Sequence, residues 1–165
     1  MLDMKIVGSG RAFLVLACLS SVVSATPLDR RIVDRVIVGD TKSEGAHAYA
    51  ADRDTTGVDH GHAFRSARGW LRYALSVFDD TEVTIACIFA RTGTHDRTGG
   101  FDLLIENQVV ASYEYGPPST LPDTLEVRVP IGLTRGRTNI LVILRATMGA
   151  TPPLLELRTV QDHNE

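Results

Sequence analysis

The side chains best suited to chemistry in this 165-residue chain are five histidines and a scatter of carboxylates. Asp59-His60-Gly61-His62 sets two imidazoles two residues apart, a spacing that can begin a metal site on a β-scaffold. A cupin-type site would also need a Glu four residues after His62 and a glycine six before His60. Ser66 and Asp54 stand there, so the pair reads as a solvated turn and no metal or other cofactor is assigned. Glycoside hydrolysis needs two carboxyls at fixed separation, one kept protonated by its surroundings. Asp102 in "GGFDLLIE" is the best carboxylate, but Arg91 and Arg97 nearby in sequence would hold it ionised, so a structural ion pair is expected. The chain has no G-x-S-x-G elbow and no Gly-rich phosphate loop outside its first residues, so no catalytic residue is assigned. His47 follows Glu44 by three residues in "SEGAH", which reads as a short helical turn with Ser43 ahead of it.

The aromatic residues suggest binding. Trp70, the sole tryptophan, heads "WLRYALSV". Alternation there sends Leu71, Tyr73, Leu75 and Val77 to one face and Trp70, Arg72, Ala74 and Ser76 to the other. If the first four fill a core, Trp70 faces outward. A flat ring bordered by polar groups suits a sugar, whose C–H faces are apolar and whose rim carries hydroxyls. The competing reading is a ring that closes the edge of the core beneath a lid.

The elements that must position these residues read as strands. "VTIACIFA" and "ILVILRAT" are apolar on both faces, as central strands are. "TLEVRVPI" alternates, with Leu125, Val127 and Val129 on one side. "FDLLIE" and "VVASYEY" form a hairpin about Asn107-Gln108, and "LLELRTV" alternates again. About eight or nine short strands without a long helix predict an all-β fold, a two-layer antiparallel β-sandwich. The polar, His- and Asp-rich segment 43–67 reads as a long and mostly irregular excursion on that scaffold.

Residues 1–25 have the pattern of an export signal, with Lys5 and Arg11 before the apolar run "AFLVLACLSSVVSA" and a small-residue site at Val23-Ser24-Ala25. The run is short for a membrane span, so a secreted or periplasmic protein with no membrane attachment after cleavage is expected. A lipoprotein anchored at Cys18 is the weaker alternative, because Leu16 fits that motif poorly. Residues 26–32 then read as a linker, 33–160 as the sandwich and 161–165 as a disordered tail. Loss of Cys18 leaves Cys87 alone in an apolar strand, so the fold depends on its core and not on a disulfide. A formal net charge of −3 with no basic cluster excludes nucleic acid as a partner.

Four stretches occur in a familiar order: "VDRVIVGDTKSEGAHAY", "GHAFRSARGWLRYALSV", "DRTGGFDLLIENQVVAS" and "VPIGLTRGRTNILVILRA". Together they resemble the C-terminal β-sandwich that follows the catalytic barrel in β-L-arabinofuranosidase-like proteins of glycoside hydrolase family 127. Carrying it are Asp34, Val36, Gly39, Ser43, Glu44 and His47, then Arg65, Ala67, Gly69, Trp70 and Tyr73. Arg97, Phe101, Asp102 and Ile105 follow, then Pro130, Leu133 and Gly136. The catalytic barrel has no counterpart here, so the resemblance implies a non-catalytic accessory module. It implies an oligo- or polysaccharide or a glycosidase domain as partner, and a jelly-roll or galactose-binding-like form of the sandwich. Ligand contacts are then expected at Trp70, with Arg65 and Arg97 as donors and Glu44, His47 and Asp102 as polar framework. The stretch from Gly69 to Ala90 is also similar to the core of galactose-binding-like carbohydrate modules, many of which hold a structural calcium. By position Glu44 would be its ligand, although the six to eight oxygens calcium needs cannot be assembled here. The alternative is a purely structural sandwich that buttresses a catalytic domain or a dimer partner.

Overall fold

The computed structural model describes residues 29–78, 82–91, 98–116 and 121–163. Residues 1–25, read above as an export signal, lie outside them, as do His95 and Arg97. Nine strands account for most of these residues: β1 (Asp29–Ile37), β2 (Ala50–Asp59), β3 (His62–Ser76), β4 (Val83–Phe89), β5 (Gly99–Ile105), β6 (Gln108–Tyr115), β7 (Thr124–Val129), β8 (Asn139–Met148) and β9 (Leu154–His163). The helical elements are α1 (Thr41–Ala46) and a 3-10 turn at Ile131–Leu133. No helix among the described residues is long and apolar enough to cross a membrane.

All strand pairs are antiparallel. They follow the order β6-β5-β8-β3-β9-β4-β7, with β2 on the flank of β3 and β1 on that of β9. A single residue pair, Arg65 with Leu154, joins β3 to β9. The path therefore divides there into two layers, β6-β5-β8-β3-β2 and β1-β9-β4-β7. Side chains with a period of two fill the space between them. From β3 come Leu71, Tyr73 and Leu75, from β8 Ile140, Val142 and Leu144, from β4 Ile85 and Cys87, and from β7 Leu125, Val127 and Val129. Each of these is less than 9% exposed, as the alternation predicted for β3 and β7. Burial pushes the Cys87 thiol up to about 12, so it is an inert core group.

Four expectations change. The segment 43–67 is ordered structure: α1, then β2, then a two-residue turn at His60-Gly61 into β3. β2 escaped the sequence pattern because it is an edge strand whose β-branched residues, Thr55, Thr56 and Val58, face solvent. Asp40, not Ser43, caps α1: its carboxylate accepts from the Ser43 N–H at 2.7 Å. The Ser43 hydroxyl accepts instead from Ile37 N–H at 2.9 Å. The β5-β6 turn is Glu106-Asn107, one residue earlier than expected, with φ of +52° and +66°. Glu106 is held there by accepting from Leu141 N–H at 2.8 Å and pairing with Arg137 at 3.2 Å. Finally, β1 begins at Asp29 and β9 runs to His163, so pairing reaches into the stretches read as linker and tail.

Candidate functional site

The polar framework forms around α1. Its Asp40 cap orients the first turn so that Glu44 points inward, where it is 3% exposed. There its carboxylate accepts from the Gly39 N–H at 2.9 Å and from Arg65 Nε and Nη2 at 2.6 and 2.7 Å. The same guanidinium donates to Asp54 at 2.8 Å and to Thr56 Oγ1 at 3.1 Å, and lies 4.4 Å over the Tyr49 ring. The Tyr49 hydroxyl donates to Asp54 at 2.6 Å, and its ring meets Tyr73 at 5.1 Å between centroids. The Tyr49 and Arg65 hydrogen bonds hold Asp54 below the usual carboxylate range. Burial, then the bond to Asp54, pushes the Tyr49 phenol up.

Four of the five N–H donors of Arg65 are thus spent inside the protein, which makes it a clamp between α1, β2 and β3. Glu44 does not fit a calcium ligand, because Arg65 occupies both its oxygens. His47 extends the framework to β1: Nδ1 is 2.6 Å from the Ser43 carbonyl and Nε2 is 3.0 Å from Asp34. Asp34 in turn accepts from Ser76 N–H at 2.7 Å. His60 is 85% exposed, and no group of three metal-binding side chains occurs among the described residues.

Trp70 and Asp102 belong to a different place, the outer face of the five-stranded layer. Strand register sets Asp52, Trp70, Arg145, Asp102 and Ser112 in one row across β2, β3, β8, β5 and β6. Asp102 accepts from Arg145 Nη2 at 2.7 Å and from the Ser112 hydroxyl at 2.7 Å, and these bonds hold it below the usual carboxylate range. The ion pair expected at Asp102 exists, but with Arg145; among the described residues Arg91 pairs with Asp123. Trp70 is half-buried, with the Arg72 guanidinium 5.4 Å over its ring. Ring, Arg72, Arg145, Leu104, Asn107 and Ile143 line a groove of about 260 Å³.

Of the sequence-derived residues, Glu44, Arg65 and His47 form the framework and Trp70 and Asp102 lie on the open face, while Arg97 is outside the described residues. Sequence reasoning missed Arg145, Arg72, Tyr49 and Asp54. Arg72 could have been found, because it shares the outward parity of Trp70.

The described residues thus form an all-β sandwich with an aromatic groove on the outer face of one layer. Residues 27–160 match the family described as "Family of unknown function (DUF6805)", and the chain belongs to that family. No curated protein matches it by sequence. Among solved structures it is similar to the family GH115 4-O-methyl-α-glucuronidase BtGH115A, at 10% identity and a TM-score of 0.56 over 82% of this chain. The matched part is 18% of that enzyme. It is also similar to the CBM35 of Abf62 from Cellvibrio japonicus, at 17% identity and a TM-score of 0.52 over 79% of this chain and 96% of the module. A third match is Xyl-CBM35 in complex with a glucuronic-acid-containing disaccharide, at 17% identity and a TM-score of 0.50 over 79% of this chain and 98% of that one. At such identities the likeness establishes the shared fold.

Proposed function

We propose that this protein is an exported, non-catalytic module that binds carbohydrate, associated with a glycoside hydrolase of the β-L-arabinofuranosidase type. The observation that carries the reading is Trp70, presented on the outer face in a groove between two guanidinium groups. Its indole offers a stacking surface, and Arg72 and Arg145 offer donors to sugar hydroxyls. Similarity in fold to carbohydrate-binding modules supports the class. The order of motifs from Asp34 to Gly136 supports the link to the arabinofuranosidase group, and the first 25 residues support export. Glu44, Arg65 and His47 serve as framework. Affinity electrophoresis of the purified protein through gels containing plant polysaccharides tests the reading. Retardation by at least one polysaccharide, reduced in Trp70→Ala, is expected; uniform migration through all of them overturns it.

The rival reading, an interaction module that buttresses a catalytic domain or a second copy, is favoured by Ile32 and Ile37, 48% and 47% exposed on edge strand β1. Sizing chromatography separates the two, since a strict monomer retarded by polysaccharide rejects the interface reading.

A further inference from the structure

A second, larger concavity lies along β3 from the groove, lined in part by Phe64, Ser66 and Arg68. It holds about 730 Å³, within the range of roughly 300–1,000 Å³ typical of ligand sites. Its walls come from the β2-β3 hairpin, the start of β5, the end of β6 and the β8-β9 connection.

Two aromatic rings in its lining are fixed by neighbouring glycines. Phe64 lies against Gly57, its cross-strand partner, where a Cβ would come within 2.1 Å of the ring. Tyr115 lies against its partner Gly99 in the same way, at 2.4 Å, and its hydroxyl donates to the Ala150 carbonyl at 2.7 Å. The floor is tied down by Ser66 Oγ donating to the Thr151 carbonyl at 2.6 Å, and by Ala67 N–H donating to Thr151 Oγ1 at 2.9 Å. The cavity is therefore built before any ligand arrives, which lowers the ordering cost of binding.

One charged side chain lines it. Arg68 is exposed and has no hydrogen-bond or ion-pair partner among the described residues, unlike Arg65 and Arg145. A single guanidinium matches a single carboxylate in charge and in its two-pronged geometry. Flat rings and the Thr55, Thr56 and Thr98 hydroxyls suit the remainder of a sugar.

The cavity and the Trp70 groove lie along the same side of β3. Phe64, Ser66, Arg68, Trp70 and Arg72 share one parity of β3; the first three line the cavity and the last two the groove. β8 repeats this order, with Gly149 just beyond its end at the cavity and Arg145 and Ile143 at the groove. Arg68 and Trp70 are two residues apart, about 6.6 Å along a strand, close to the length of one pyranose ring.

We propose that the Arg68 cavity is a subsite for a carboxylate-bearing sugar, and that an acidic oligosaccharide lies along β3 with its uronate at Arg68 and its next ring on Trp70. This rests on the carbohydrate-binding reading and adds the ligand class and direction to it.

Calorimetric titration of the purified protein with a glucuronate-terminated disaccharide and with the matching glucose-terminated disaccharide tests it. Binding at least tenfold tighter to the acidic sugar is expected. Arg68→Ala should abolish that ratio and keep neutral binding, Arg68→Glu should reverse it, and Trp70→Ala should weaken both sugars by a similar factor. Arg68 makes no hydrogen bond or ion pair among the described residues, so an unchanged melting temperature will confirm that its variants fold. A wild-type ratio near one, or a ratio unaffected by Arg68→Ala, overturns the subsite while the carbohydrate-binding reading stands. Absence of binding to every saccharide, neutral or acidic, overturns both.

Discussion

Arg65 grips Glu44 with two parallel hydrogen bonds of 2.6 and 2.7 Å, joining the single turn of α1 to the longest strand of the sandwich. Glu44 is buried at 3% exposure, so removal of its partner strands a charge away from water. Arg65→Ala should destabilise the fold by about 3–5 kcal/mol in urea unfolding, and Arg65→Lys should recover only part, having one ammonium for two oxygens and an Asp. A loss below about 1 kcal/mol for Arg65→Ala would show that the clamp is not structural.

Both ring nitrogens of His47 face acceptors, Ser43 O and Asp34, an arrangement that favours the doubly protonated imidazolium. Burial alone would push His47 down, but its bonds to Asp34 and Ser43 outweigh that, and the net direction is up from 6.5. Burial would likewise raise Asp34, yet the Ser76 N–H and His47 bring it below its ordinary 3.8. A raised histidine adds stability that is complete below about 6.5 and lost as pH climbs through the folded-state value. A lowered carboxylate adds stability present above its ordinary value and lost as pH falls. The pair should therefore stabilise most strongly in mild acid. Urea unfolding between about pH 4.5 and 9 should show an alkaline decline in wild type that His47→Asn lacks. An equal decline in the variant would assign it to another group.

Trp70 is the only tryptophan, so its fluorescence reports on the groove alone. Saccharide binding should shift its emission in proportion to occupancy. Trp70→Ala should weaken binding at least about tenfold, or about 1.4 kcal/mol. Full affinity in the variant would move the ligand elsewhere.

His60 occupies a left-handed position, φ +46°, ahead of Gly61 in the β2-β3 turn. Asparagine adopts that conformation more readily. His60→Asn should stabilise the protein by about 0.5 kcal/mol and leave saccharide affinity unchanged. Destabilisation would point to a role for the imidazole that its 85% exposure does not suggest.

The sequence by itself determined what depends on neighbours a few residues apart. Alternation in β3 and β7 told which side chains enter the core, because a strand turns each successive side chain to the opposite face. It also placed Trp70 outward. It did not reveal β2, since an edge strand that sends only Ala51 to the core carries no such rhythm. Tertiary structure decided the partnerships. Asp102 was expected to meet an arginine near it in the chain; it meets Arg145, 43 residues away, because β5 and β8 lie side by side. Strand pairing likewise put Arg65 above Tyr49 and against Glu44, 21 residues before it. Arg68, unpaired among the described residues, is distinguished by nothing in its local sequence. Charge pairing between strands depends on strand order and register, which are settled only when distant segments meet across the sheet.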